Sequence, residues 1–132
     1  MKKLCFVLPL LLFLHPAVAA PLDDGISAYM AGHYAKAFQT LQPLARSGNS
    51  DAQYYVGGMF AEGLGTAPDS DKALLWLNKA VANNHREAAT FLGKMYLSGR
   101  GVPLDLKKGA YYMTLSAELE PEDEPDVECD SE

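Results

Sequence analysis

The chain has 132 residues, a formal net charge of −6 and an isoelectric point near 5.0; 48% of it is apolar and 21% charged. That length suits one domain and that composition excludes wholesale disorder. The acidic balance argues against a nucleic-acid partner, which would need phosphate-neutralising bases, and two cysteines are too few for a disulfide scaffold or a zinc-finger framework.

The chain begins with an address. Lys2 and Lys3 precede an apolar run from Leu4 to Leu14, followed by Ala17-Val18-Ala19-Ala20. This is the charged, apolar and small-residue order of a secretory signal peptide, with the cut expected after Ala19. Eleven residues at 1.5 Å each span roughly 17 Å, against about 30 Å of bilayer core, so a transmembrane anchor is disfavoured. The reading is of a periplasmic or secreted protein with no integral membrane span after cleavage. Cys5 stands at the front of the apolar run, not behind it as a lipidated cysteine would, and Cys129 is then the one thiol of the mature chain.

Helices are predicted over Asp24–Ala31 and Tyr34–Ser47, joined at Gly32-His33. Pro43 is expected to remove a ladder hydrogen bond and kink the second. Ala52, Val56 and Phe60 recur at i, i+4 and i+8, one apolar stripe that ends at Gly63. Asp71, or Asp69 just before it, is positioned to cap the next helix. Ala73, Leu74, Trp76, Leu77, Ala80 and Val81 line its buried face, and Asn83-Asn84 stop it. The same pattern returns over Arg86–Ser98 and Asp105–Leu119. A shift of 36 residues superposes Ala52 on Ala88, Gly57 on Gly93, Met59 on Met95 and Gly63 on Gly99. It also superposes Gly65 on Gly101, Asp69 on Asp105 and Lys72 on Lys108. A fainter upstream copy matches Lys36, Ala37 and Leu41 to Lys72, Ala73 and Leu77. Gly57 and Gly93 fall mid-helix, where glycine costs about 1 kcal/mol against alanine, so a close approach of the neighbouring helix is expected there. The fold class is all-α: an α-solenoid of about three antiparallel pairs.

From Ala20 to Ala117 nine bases oppose eight acids; from Glu118 to Glu132 there are nine acids and no base. The divisions are 1–19 signal peptide, 20–50 N-terminal half repeat, 51–86 first repeat, 87–119 second repeat and 120–132 acidic disordered tail. The tail reads as a solubilising segment, a lure for a basic partner, or a cover over the body's own groove.

The motif Ala52-Gln-Tyr-Tyr-Val-Gly-Gly-Met-Phe-Ala-Glu-Gly63-Leu-Gly65 resembles the first helix and loop of the Sel-one-like repeat family, which is related to tetratricopeptide repeats. Asp71-Lys72-Ala73, Trp76 and Lys79-Ala80 resemble its second helix, and Gly93 to Asp105 resembles the motif again. Gly32-His-Tyr34-Ala35-Lys36-Ala37 resembles a tetratricopeptide-like half repeat. The resemblance implies a bacterial, envelope-associated adaptor that binds a protein or peptide in a groove lined by first helices, without cofactors. Beside the buried stripe runs a second one: Tyr55, Met59 and Glu62, matched by Phe91, Met95 and Ser98. These six are the candidate partner-binding residues, because aromatic and thioether side chains give large, adaptable contact area. The same residues would also serve as additional core.

No catalytic residue and no metal ligand is assigned. The Gly-x-Gly loops follow helices and lack a Lys-Ser/Thr ending, so they read as helix terminators. His33 and His85 have no second ligand at metal spacing, and His85 is expected to be solvated at its joint. A cell-wall or β-lactam hydrolase is the alternative of another class; no nucleophile and base pair supports it. A structural subunit is the third reading. The last helix offers Tyr111, Tyr112, Met113 and Leu115 with no further repeat to cover them all, so self-association through it, or through Cys129, is open.

Overall fold

The computed structural model describes residues 19–119, which form six helices and, among the described residues, no strand. They are α1 (Ala19–Met30), α2 (Tyr34–Arg46), α3 (Ser50–Glu62), α4 (Ser70–Ala82), α5 (Arg86–Ser98) and α6 (Leu106–Glu118). The expected leader, the acidic segment from residue 120 and Cys129 lie outside the described residues, apart from Ala19. Packing is tightest within α1/α2, α3/α4 and α5/α6, and looser where α2 meets α3 and α4 meets α5. Within the last pair, Thr90 meets Ser116, Gly93 approaches Met113, and Gly109 approaches Leu97, which fixes the helices as antiparallel. The all-α helical-repeat architecture read from the sequence is the one observed.

Most of the helix ends have a local reason. The Asn49, Asp69 and Asp105 side chains accept from the backbone N–H groups of Ala52, Lys72 and Lys108, at 2.9, 3.0 and 3.0 Å. Asp69, not Asp71, is therefore the cap of α4. Gly63 and Gly99 close α3 and α5 in left-handed geometry, with φ of 70° and 68°. The first helix begins earlier than the Asp24–Ala31 expected, because Leu22 and Ile26, one turn apart, pack against the core beside Tyr29. Pro43 lies inside α2, which carries on to Arg46.

Two apolar clusters run through the array. The first joins the α1/α2 pair to α3 and α4 around Leu41, Val56, Met59 and Trp76; the second joins α4 to α5 around Leu77, Leu92 and Met95. Leu41, Val56, Met59, Leu77 and Leu92 are fully buried. Burial of each such side chain stabilises the fold by about 1.5–3 kcal/mol relative to exposure. The mid-helix glycines set the spacing inside the pairs. A Cβ at Gly57 would stand 3.1 Å from the backbone nitrogen of Leu77, and one at Gly93 would stand 3.3 Å from the carbonyl oxygen of Gly109. Between pairs a different glycine acts. A side chain at Gly65 would collide with the Tyr34 carbonyl at the start of α2, so the loop after α3 lies directly on the preceding pair.

Gln53 is a polar residue within this core, at 4% exposure. Its amide donates to the Ala45 carbonyl at the end of α2 (3.1 Å) and its oxygen accepts from Asn83 at the end of α4 (3.0 Å). One side chain on α3 thereby ties three helices together, with its hydrogen-bonding capacity used inside the protein.

Candidate partner-binding surface

The odd-numbered helices meet along one side of the array, and their contacts there are aromatic. Tyr29 of α1 stands edge-on to Tyr34 (5.5 Å between centroids, 69°) and to Tyr55 of α3 (5.1 Å, 62°). Tyr55 stands edge-on to Tyr54 (5.3 Å), and Tyr54 to Phe91 of α5 (6.4 Å, 81°). All five rings are half-buried, so each is anchored in the core and presents an edge to solvent. The row arises because these four side chains each sit beside the buried stripe of their own helix, Tyr29 and Tyr54 on the flank turned toward the following pair and Tyr55 and Phe91 on the flank turned toward the preceding one.

At its α5 end the row opens into a cleft of about 350 Å³ lined by Ala61, Glu62, Phe91, Lys94, Met95, Ser98, Arg100 and Gly101. Four of the six sequence-predicted residues, Glu62, Phe91, Met95 and Ser98, line this one cleft. Tyr55 is in the aromatic row instead. Met59 is at 0% exposure and is core, so it offers no groove surface; its repeat mate Met95 keeps 6%. The difference is positional: Met59 is covered by the α1/α2 pair, whereas Met95 edges the cleft.

Charge around the surface is divided. Glu62 stands near the Tyr29 and Tyr54 phenols, and Asp51 and Glu87 near Tyr55, while Lys94 and Arg100 stand on the cleft. Burial, first of all, pushes the Tyr29, Tyr54 and Tyr55 phenols above the ordinary value of 10.0. Glu62 adds to this at Tyr29, neighbouring Tyr55 and then Glu87 at Tyr54, and Asp51 at Tyr55. The row therefore presents neutral hydroxyls that both donate and accept hydrogen bonds. Ser98 donates its hydroxyl proton to the Lys94 carbonyl at 2.7 Å, which commits it to its own helix.

His85 behaves differently from the solvated imidazole expected. Its side chain is 9% exposed and stacks on Tyr54 at 4.8 Å and 19°. Its Nδ1 accepts from the Ala88 N–H at 3.2 Å, capping α5, and its Nε2 stands 3.1 Å from Asp51 of α3. It thus buttresses the aromatic row and joins two repeats. The signal for this was its place in the joint equivalent to Asn49, a capping position, and not any ligand pattern. Tyr29, Tyr34 and Tyr54 were also missed, because nothing local marks which tyrosine flank faces the next pair. Among the described residues there is no cluster of three His, Cys, Asp or Glu able to hold a metal, and no helix is long and apolar enough to cross a membrane.

A model of the Sel1 repeat family matches residues 50–85 and 86–121, more than half of the chain. The chain is 35% identical over 91 residues to a chitin synthase regulator of Saccharomyces cerevisiae, and 38% identical over 65 residues to an ERAD-associated E3 ubiquitin-protein ligase component of Arabidopsis thaliana. These matches cover 64% and 48% of this chain but only 13% and 10% of those proteins. Among solved structures it is similar to a protective antigen of uropathogenic Escherichia coli with an SLR fold, at 27% identity and a TM-score of 0.68, over 76% of this chain and 22% of that one. It is equally similar to a Sel1 repeat protein of Oxalobacter formigenes, at 26% identity and a TM-score of 0.68, over 74% and 39% of the two chains.

Proposed function

Because the chain belongs to the Sel1 repeat family, whose members typically mediate protein–protein interaction, we propose that it is a non-catalytic adaptor that captures a peptide segment of another protein along its odd-helix side. The observation that carries this reading is the continuous aromatic row from Tyr34 through Tyr29, Tyr55 and Tyr54 to Phe91, ending in a cleft of peptide side-chain size. Half-buried rings already held by one another lose little conformational entropy on binding, which favours them as anchors. The Phe91/Met95 end of the cleft suits an apolar side chain, and Lys94 with Arg100 suits a carboxylate on the same segment. Tyr55, Glu62, Phe91, Met95 and Ser98 are the contact residues of this reading. The regulator and ligase-component relatives are consistent with a subunit that positions other proteins.

The sequence 1–19 supports an exported, periplasmic or secreted protein, and recovery of a chain beginning at Ala20 from the periplasmic fraction tests that part. Photo-crosslinking from position 94 in native envelopes, with identification of the captured peptide, tests the binding surface. Tyr55→Ala/Phe91→Ala protein that stays folded and captures the same peptides refutes it.

A further inference from the structure

The established contact between the two repeats supplies a template for a surface that nothing covers among the described residues. Ser70, Leu74, Leu77 and Val81 of α4 receive the second repeat: Ser70 lies 2.8 Å from the position a side chain on Gly101 would take, and the other three pack in the second apolar cluster. Thirty-six residues on, the same four places are Leu106, Ala110, Met113 and Ala117 of α6. All four are apolar and all four are exposed; Leu77 is at 0% exposure where its mate Met113 is at 39%, and Leu106 is at 64%. Their 4-3-4 spacing forms one straight seam along the helix, the spacing of helix-to-helix packing.

We infer that this seam joins two copies of the chain, α6 against α6 of the second copy, antiparallel about a two-fold axis. Three features of the seam select this occupant. First, it is self-complementary in size: reversed on itself, Leu106 meets Ala117 of the second copy, and Met113 meets Ala110, large against small throughout. Second, charge selects the antiparallel sense. Lys107 and Lys108 stand at one end of α6 and Glu118 at the other, with the acidic sequence following. Reversal brings the basic end of each copy onto the acidic end of the other, whereas a parallel pair would oppose like charges. Third, end-to-end stacking onto α1 is unfavourable. The helix that enters the established interface presents Leu92 and Met95, but aligning Gly25 with Gly93 puts Asp24 and Ser27, both exposed, in those places. An isologous pair also closes, so it does not propagate into a filament.

This surface lies apart from the aromatic row, so its test is independent of partner capture. Sedimentation velocity of the full mature chain under reducing conditions, from about 1 to about 100 µM, is expected to show a monomer–dimer equilibrium that weakens with salt. Ala110→Lys, on an exposed position, is expected to raise the dimer dissociation constant at least tenfold while leaving the helical circular dichroism unchanged, because it buries two unpaired charges near the axis. Lys107→Glu alone and Glu118→Lys alone are each expected to weaken the dimer severalfold, and the double reversal to restore it. A wild-type monomer across the whole range overturns the inference. So does a dimer indifferent to Ala110→Lys, or a monomer in which that variant exposes residues 120–132 to protease, which would give the seam to the chain's own acidic segment. Failure of the double reversal to restore what the single changes weaken overturns the antiparallel arrangement.

Discussion

Adjacent glycines in the middle of α3 allow the packing argument to be tested against its own control. Alanine is favoured over glycine in a helix interior by about 1 kcal/mol, and both Gly57 and Gly58 would gain it. They differ in what the new methyl meets. At Gly57 it would stand 2.7 Å from Leu77 Cγ, 3.0 Å from Cδ2 and 3.1 Å from the Leu77 backbone nitrogen. The side chain can rotate, but the backbone atom can recede only if α4 moves away from α3. Overpacking of that kind costs about 1–3 kcal/mol, which cancels or exceeds the propensity gain. At Gly58 the nearest atom is Phe91 Cε2 at 3.8 Å, an ordinary contact, so the gain survives. Gly58→Ala should therefore stabilise the protein by about 0.5–1 kcal/mol and Gly57→Ala destabilise it by about 0–2 kcal/mol. With a urea dependence of about 1–3 kcal/mol per molar, the two midpoints should separate by roughly 1 M in denaturation followed at 222 nm. Equal stabilisation by both changes would refute the reasoning, since it would mean that α3 and α4 do not approach at Gly57.

Gln53→Leu should cost about 1–3 kcal/mol despite its apolar gain, because it removes the link between the α2 and α4 termini; an unchanged urea midpoint would count against that role. Asp69→Ala and Asp105→Ala should each lower stability by about 1 kcal/mol, and Asp69→Asn by much less, as read by the same denaturation. Tyr29, Tyr54, Tyr55 and Tyr112 have phenols raised above 10.0 in the folded protein, each chiefly by burial. Their contribution is complete below pH 10 and is lost as pH rises through the folded values, because the unfolded chain ionises first. Stability should thus fall above about pH 10, and less so in a Tyr29→Phe/Tyr54→Phe/Tyr55→Phe variant. A tyrosinate absorbance titration of the folded protein centred at or below the ordinary phenol value would contradict this.

Much of the architecture is local and was legible in the residues. The 36-residue register of Gly57/Gly93, Gly63/Gly99 and Asp69/Asp105 marks a close approach, a left-handed stop and a cap, each a requirement of backbone geometry that few residue types meet. The span Arg86–Ser98 agreed to the residue, and the other helices to within a few, because caps and glycines delimit them. The first helix was underestimated at its start, since its early residues owe their order to packing against α2 and α3 and not to a cap. The candidate surface was legible only in part. Periodicity placed Glu62, Phe91, Met95 and Ser98 on matching helix faces, and these do line one cleft.

What periodicity cannot contain is what lies opposite a face. Met59 and Met95 hold the same repeat position, yet the N-terminal pair seals the first while the second edges a cleft. Leu77 and Met113 hold the same position too, and among the described residues only the first is buried by a following repeat. His85 became a largely enclosed cap, and four tyrosines and a phenylalanine became one row, through contacts between residues up to 37 positions apart. The sequence by itself determined where the chain turns helical and where it must turn back, because those choices rest on hydrogen bonds and sterics within a few residues. The tertiary structure alone decided which side chains reach solvent, because exposure depends on the neighbour that packing brings, and that neighbour is remote along the chain.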